Sequence, residues 1–357
     1  MKIIHRYVGF ALFRQFALLL VAVVAIYVAV DFFEKIDDFM EARASLGSAL
    51  LFFAYRVPAV LTQVMPVGVL LSALVVFGVM GRHNEIVAFR CCGGPARALA
   101  LPAVVLGMVS GIAVFILSEA VVPYSAEKAD EIWLGQVKKK SPRAGRENDI
   151  WFTAKGAVGH IGHVDRRAGL AAYDLTLTYL TPDFRLARRV DARKAVYEKG
   201  VWRLSDVTDQ NFAAGGLHVT YPKTQSVELS FSPEDLGRAV KKPDEMTYRQ
   251  LSAYARRVAA EGYDDDALRS DLAAKISFPF VSLIMGVLGG CLSLRRTRGD
   301  GLAANVLMGM GLAFSFWVVH SVSLSLGYAG RSPPLVAAWA ADFLFGLLAA
   351  WLYTRLA

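Results

Sequence analysis

Six stretches of about 20 residues, 11–30, 57–80, 99–122, 276–294, 302–326 and 334–353, each hold no more than one Asp, Glu, Lys or Arg, and each is long enough as a helix to cross a bilayer. Hydrocarbon offers backbone N–H and C=O groups no water to bind, so a chain with such runs must make them helices that satisfy their own hydrogen bonds. The first run exceeds a signal-peptide core. No small-residue cleavage site precedes Asp31, Glu34, Asp37 and Asp38, so it is expected to stay as a membrane helix.

Lys and Arg fall at alternate ends of these runs: Lys2, Arg6 and Arg14; then Arg82, Arg90 and Arg97; then Arg295, Arg296 and Arg298; finally Arg355. The positive-inside bias predicts both termini in the cytoplasm and the long segment between the third and fourth runs in the periplasm. The net charge of +8 comes mostly from this asymmetry, since 123–271 holds 24 basic and 22 acidic residues. No basic stripe with interleaved aromatics points to nucleic acid. Cys91, Cys92 and Cys291 all lie on the expected cytoplasmic side without a second Cys pair or a His cluster, which predicts small buried hydrophobes and no metal site.

After the third run a helical pattern continues through 123–140, and Ser141, Pro142, Gly145 and Asn148 then break it. Short, often alternating segments at 150–154, 158–164, 172–180, 195–198, 201–207 and 227–231 predict strands of a β-sandwich or jelly roll. Lys199-Gly200 supplies a hairpin turn flanked by Tyr197 and Trp202. Leu251, Tyr254, Ala255 and Val258 return to a helical spacing. The expected fold is an α-helical membrane protein of six transmembrane helices with an inserted, periplasmic, jelly-roll-like all-β domain. Its parts are 1–140, with a loop at 81–98; 141–240, the β-domain; and 241–357, linker helices and the last three spans.

No nucleotide-binding loop, zinc-protease motif or serine elbow is present, so no catalytic residue, metal or cofactor is assigned. His320 and Asp342 are intramembrane polar residues, functional by default because they are costly in lipid; helix-to-helix hydrogen bonding is the simpler reading. The loop 81–94 mixes polar residues with a short helical pattern that sets Arg82, Glu85 and Phe89 on one face. It is either a partner-contacting helix along the membrane or a solvated turn with an Arg82–Glu85 pair.

His5-Arg-Tyr-Val-Gly9, Asn84-Glu-Ile-Val-Ala-Phe-Arg90, Val121-Val-Pro123, Val201-Trp-Arg-Leu204, Phe231-Ser-Pro-Glu-Asp-Leu236 and Pro333-Pro334, in this order and spacing, resemble the LptF/LptG lipopolysaccharide export permease family (YjgP/YjgQ) over nearly the whole chain. The opening segment, Asp31-Phe-Phe-Glu-Lys-Ile-Asp-Asp38 and Ser232-Pro-Glu-Asp-Leu236 look more like LptG than LptF. The resemblance implies a permease of the inner membrane, paired with LptF over an LptB ATPase dimer that binds ATP and Mg, joined by LptC. Its β-domain would pass lipopolysaccharide to an LptA-type periplasmic bridge. A sensor or scaffold without an ATPase is the alternative from another class, and a secondary transporter is a third.

Lifting one acyl chain of about a dozen carbons from the membrane costs on the order of 8 to 10 kcal/mol, which explains the need for an engine. By the same resemblance, the first and fifth runs form lateral openings, with Gly309 and Gly311 allowing close but separable contact. Arg82, Asn84, Glu85, Phe89 and Arg90 would form the ATPase-coupling loop, and Lys35 and Lys128 would meet phosphorylated head groups. Divalent cations or the partner subunit are alternative sources of that charge. One parity of 172–180 is expected to face the lipid.

Overall fold

The computed structural model describes residues 2–138, 147–154, 157–165, 171–181, 185–198, 201–213, 216–227, 242–260, 264–295 and 302–356. The chain opens with α1 (Lys2–Glu41), α2 (Leu46–Arg82), α3 (Glu85–Cys91) and α4 (Ala96–Ile116), which runs through a π-helical turn (Leu117–Val121) into α5 (Val122–Ile132) and a second π turn (Trp133–Lys138). Strands β1 (Glu147–Ala154), β2 (Ala157–Asp165), β3 (Ala171–Leu180), β4 (Leu186–Glu198), β5 (Val201–Ala213), β6 (Gly216–Thr220) and β7 (Thr224–Val227) follow. A 3-10 turn (Pro243–Glu245), α6 (Tyr248–Ala260), α7 (Asp266–Arg295), α8 (Leu302–Tyr328) and α9 (Pro334–Thr354) complete it. Among the described residues, six helices are long and apolar enough to span a membrane, matching the six runs. The chain separates into a helical unit (Met1–Asp37, Leu46–Glu131, Lys242–Ala357) and a second unit holding the sheet (Asp38–Ser45, Ile132–Lys241).

In the helical unit α7 is the hub, packing on α2, α4, α8 and α9. Lipid tails are as apolar as leucine, so helices associate in a bilayer through close contact of small residues and not by escaping water. A Cβ added at Gly111 would stand 2.6 Å from the Pro279 carbonyl oxygen, and one at Gly286 would stand 2.6 Å from that of Ala103. The two backbones therefore meet where only glycine fits. Leu70, Leu74, Phe77, Met285, Leu288 and Phe316 fill the core around this seam. The N-terminus of α6 is closed by a reciprocal pair, Thr247 N–H to Gln250 Oε1 at 3.0 Å and Gln250 N–H to Thr247 Oγ1 at 3.1 Å.

The sheet is antiparallel and its first six strands lie in chain order, a meander among the described residues. β6 and β7 both pair with β5, at 209–213 and 202–205 respectively. They form one edge strand interrupted at Tyr221-Pro222-Lys223, because proline cannot donate to a ladder. Four segments escape the alternation rule: 186–194 is the first part of β4, 208–213 the last part of β5, 216–220 is β6, and 224–226 begins β7. The hairpin of Tyr197 and Trp202 is present, with ring centroids 5.4 Å apart. Its turn at Lys199-Gly200, residues 228–231 of the last expected strand, the break at 141–145 and the 231–236 motif lie outside the described residues.

One row of residues crosses the sheet outside the ladder registers. The ladders skip Asp149 and Gly162 between β1 and β2, Gly162 and Asp174 between β2 and β3, Asp174 and Arg193 between β3 and β4, and Arg193 and Asp206 between β4 and β5. Asp174 (φ 55°) and Asp206 (φ 56°) take the left-handed conformation that aspartate tolerates better than most residues. Each strand thus carries one extra residue at the same level, so register survives while parity inverts. On β3 the buried positions are the adjacent Ala171 and Ala172, then Leu175 and Leu177; on β4 they are Val190 and Ala192, then Ala195; on β5 they are Trp202 and Leu204, then Val207 and Asp209. Bulged residues bend a strand, and in a row they let the sheet bend along a line. Side chains from both sides of the row share one core.

The expectation of one inward parity through 172–180 is therefore corrected: it switches at Asp174. Single cysteines should resist a membrane-impermeant thiol reagent at 172, 175 and 177 and react at 174. Protection continuing at 174 in strict alternation with 172 would contradict the row. At the edge of the same core Arg188 grips Asp209 through two bonds, 3.0 and 2.6 Å, and its guanidinium holds the Asp209 carboxyl below the usual carboxylate range. A depressed carboxylate stabilises above its unfolded pKa of about 3.9 and loses that contribution as pH falls through the folded value. Arg188 is partly exposed, so Asp209→Ala should cost on the order of 1 kcal/mol at pH 7. The cost should fade under acid, read as hydrogen exchange of β4 and β5.

Candidate functional site

At the end of the bundle where α2 and α7 finish and α4 begins, α3 stands as a short separate helix. Asn84 (φ 58°) breaks the chain between α2 and α3. Arg82 therefore ends α2, and the single face expected for Arg82, Glu85 and Phe89 does not exist. Arg82 and Asn84 are exposed, Glu85 is half-buried, and Ile86 is completely buried. No ion pair joins Arg82 to Glu85 among the described residues. Phe89 lies over Gly94, where a Cβ would come within 2.3 Å of the ring.

Two arginines of this segment close helix ends. Arg90 donates to the Leu294 carbonyl at 3.4 Å and Arg97 to the Thr354 carbonyl at 3.1 Å, at the C-termini of α7 and α9. Cations there satisfy orphan carbonyls and complement the helix dipole. Arg90 thus ties α3 to the hub helix, a link invisible in the local sequence. Val87, Ala88, Cys91 and Cys92 remain exposed. The expectation of buried cysteines fails for Cys91 and Cys92, because the helix turns Ile86 and not its C-terminal end toward the core; Cys291 is buried.

At the opposite end of α1, Lys35 hydrogen-bonds Asp31, and Arg56 of α2 approaches the same carboxylate at 3.5 Å. Both cations lie over the Phe52 ring, at 5.8 and 5.7 Å. Two positive charges share one buried carboxylate, and Arg56 acts on Glu245 as well. Arg56 was missed because it precedes the second apolar run, far in sequence from Lys35. Lys128 does not join them; it pairs with Glu131 at 2.7 Å.

His320 and Asp342 are buried; His320 Nδ1 has no hydrogen-bond partner, and Ser277 of α7 lies against the Asp342 carboxyl. Serines also make hydrogen bonds from helix to helix. Ser277 Oγ donates to the Ala338 carbonyl at 3.1 Å and Ser323 Oγ to that of Ala337 at 2.7 Å. His320 stacks on Phe316 with centroids 5.7 Å apart.

Two spanning helices are little covered. Only 11% of the apolar window of α1 and 22% of that of α8 are buried, against 39–61% for the other four. Gly309 of α8 is pressed on Leu74 of α2, whereas Gly311 meets nothing within 4 Å. In the sheet, ten core residues of β2–β5 are 3% exposed or less, a sealed apolar face.

A six-span bundle with two largely uncovered helices, a helix presented at one end and an inserted sheet defines a multi-pass membrane transport subunit. The family model of the lipopolysaccharide export system permease LptF/LptG matches residues 6–355. The chain is 20% identical over 358 residues to lipopolysaccharide export system permease protein LptG of Escherichia coli K12, covering 99% of this chain and 98% of the relative. It matches the Haemophilus influenzae protein of the same name to the same extent. The chain belongs to the LptF/LptG family.

Ile86 anchors α3, and removing most of a buried Ile side chain costs about 2–5 kcal/mol. Ile86→Ala should accelerate hydrogen exchange across 85–92 strongly while Arg82→Ala leaves it unchanged. Equal effects would contradict the anchoring.

Proposed function

We propose that this protein is the LptG-type half of a lipopolysaccharide exporter, drawing the glycolipid laterally from the inner membrane and handing its acyl chains to the inserted sheet. The observation that carries the reading is the family match over residues 6–355. The low burial of α1 and α8 supports it, since a lateral entrance needs helices held by few permanent contacts. The LptG branch is favoured by the named relatives and by the segments at 5–9 and 31–38.

In this reading an LptF chain faces α1 and α8, LptC adds its single span, and an LptB dimer supplies ATP hydrolysis with Mg. The α3 helix receives the ATPase motion. Glu85, half-buried and without an ion-pair partner among the described residues, meets a basic residue there, and Arg90 carries the displacement to α7. Both termini and α3 are cytoplasmic, as the Arg-rich loops require, and the sheet is periplasmic. Lys35 and Arg56 hold a head-group phosphate by exchanging part of their bond to Asp31 for the ligand; Lys128 stays with Glu131. The sealed core of the sheet must part to admit acyl chains and then hand them along its edge to the bridge by strand addition.

The coupling role is tested in the reconstituted complex with Glu85→Lys and Arg82→Ala. Reversing a partly buried charge at an interface should cost several kcal/mol. Glu85→Lys should therefore lose both ATPase co-purification and ATP-driven lipopolysaccharide release, while Arg82→Ala keeps them. Normal export by Glu85→Lys together with failure of Arg82→Ala would place the coupling elsewhere. Lys35→Ala with Arg56→Ala should reduce bound lipopolysaccharide more than either alone.

A further inference from the structure

Between α2, α7, α8 and the π turn after α4 lies a cavity of about 270 Å³, with Asp244 of the 3-10 turn on its wall. Its charged lining is Asp244, Asp271 and Lys275, a net charge of −1. Glu119 also acts on Lys275. Beside the wall, burial and the nearby Asp130 carboxylate push Glu245 above the usual carboxylate range, while Lys242 and Arg56 act in the opposite direction. Tyr328 donates to Asp271 Oδ1 at 2.6 Å, fixing that carboxylate.

His320 provides a second, independent observation. It lines the cavity, is 5% exposed, and its Nδ1 has no partner. A polar atom buried among Phe316, Trp317 and Phe278 without a bond is costly unless something in the cavity completes it. Backbone irregularity gathers at the same place. Pro279, on the wall, has no N–H, so the Lys275 carbonyl four residues earlier loses its helical donor. Ser118 of the π turn forms another part of the wall. Non-helical backbone at membrane depth is tolerated where it lines a cavity, and π turns occur frequently at functional sites.

The cavity therefore offers two carboxylates against one resident ammonium, with the unpartnered imidazole nitrogen beside them and Trp317 and Phe278 as faces for a cation. An anion would meet two carboxylates. A quaternary ammonium would bring no N–H to the acceptors. We propose that this cavity binds a primary ammonium group, carried by an ethanolamine-type lipid head group or by a free amine. This goes beyond the export reading and does not rest on it.

The test uses the full chain, extracted in mild detergent and analysed by native mass spectrometry after exchange into phosphatidylethanolamine, phosphatidylcholine or phosphatidylglycerol. Ethanolamine lipid should be retained about tenfold better than choline lipid, the scale of one lost hydrogen bond to a charged group. Asp244→Asn with Asp271→Asn should abolish that preference. Lys275→Met, which removes the resident competing cation, should raise retention; misfolding cannot imitate a gain. Displacement of bound lipid by free ethanolamine identifies a site that reads the amine alone, and resistance to it identifies a site that needs the lipid head group; either supports an ammonium site. Equal retention of the three lipids, preference for phosphatidylglycerol, or loss of binding in Lys275→Met would overturn it.

Discussion

In a bilayer no solvent pushes apolar helices together, so the bundle depends on the approach of α4 to α7 at Gly111 and Gly286. There each missing Cβ lets a helix backbone reach 2.6 Å from where the next atom would stand. Such contact gathers dispersion over many atoms and leaves no room for slippage. With α7 fixed this way, α2 and α9 pack on its other sides. What remains uncovered follows from geometry, because a hub helix has a limited circumference. Once its neighbours are in place, most of the apolar surface of α1 and α8 is left uncovered within the chain. In lipid those apolar surfaces carry little cost, which makes them suited to contacts that form and break during transport.

The ends of the bundle obey a different rule. Helix termini carry unsatisfied carbonyls, and Arg90 and Arg97 satisfy those at Leu294 and Thr354. The arginines that set the orientation bias thereby also brace the loop that holds α3. One exposed arginine is thus also a tie: Arg90 joins α3 to the hub helix by a named bond, and Ile86 seats α3 in the core.

The sheet solves the problem of sealing an apolar face with few strands. By placing one residue outside the ladder register at the same level in successive strands, it keeps register and exchanges faces at a single row. Trp202 and Leu204 on one side then share a core with Val207, Leu175 and Leu177 on the other. A glycine at 162 is part of that arrangement, since a Cβ there would come within 2.9 Å of the Asp174 Cβ.

The sequence by itself determined the six spans, the position of the β insertion, the helical extension past 122 and the family, because these depend on local hydrophobicity, period and ordered short motifs. It also singled out Glu85, Phe89 and Arg90 as one segment. Only the tertiary structure decided which residues meet. Arg56 joins Lys35 at Asp31, Arg90 reaches Leu294, and Lys128 is taken by Glu131, all through side-chain directions that span helices or turns. The parity switch at Asp174 was hidden because an alternation rule assumes one backbone conformation per strand, and a single left-handed residue inverts it. His320 and Asp342 were visible as costly residues in lipid. The unpartnered nitrogen of His320, and the cavity beside it, arise from where α2, α7 and α8 leave space, a property of packing that no single segment encodes.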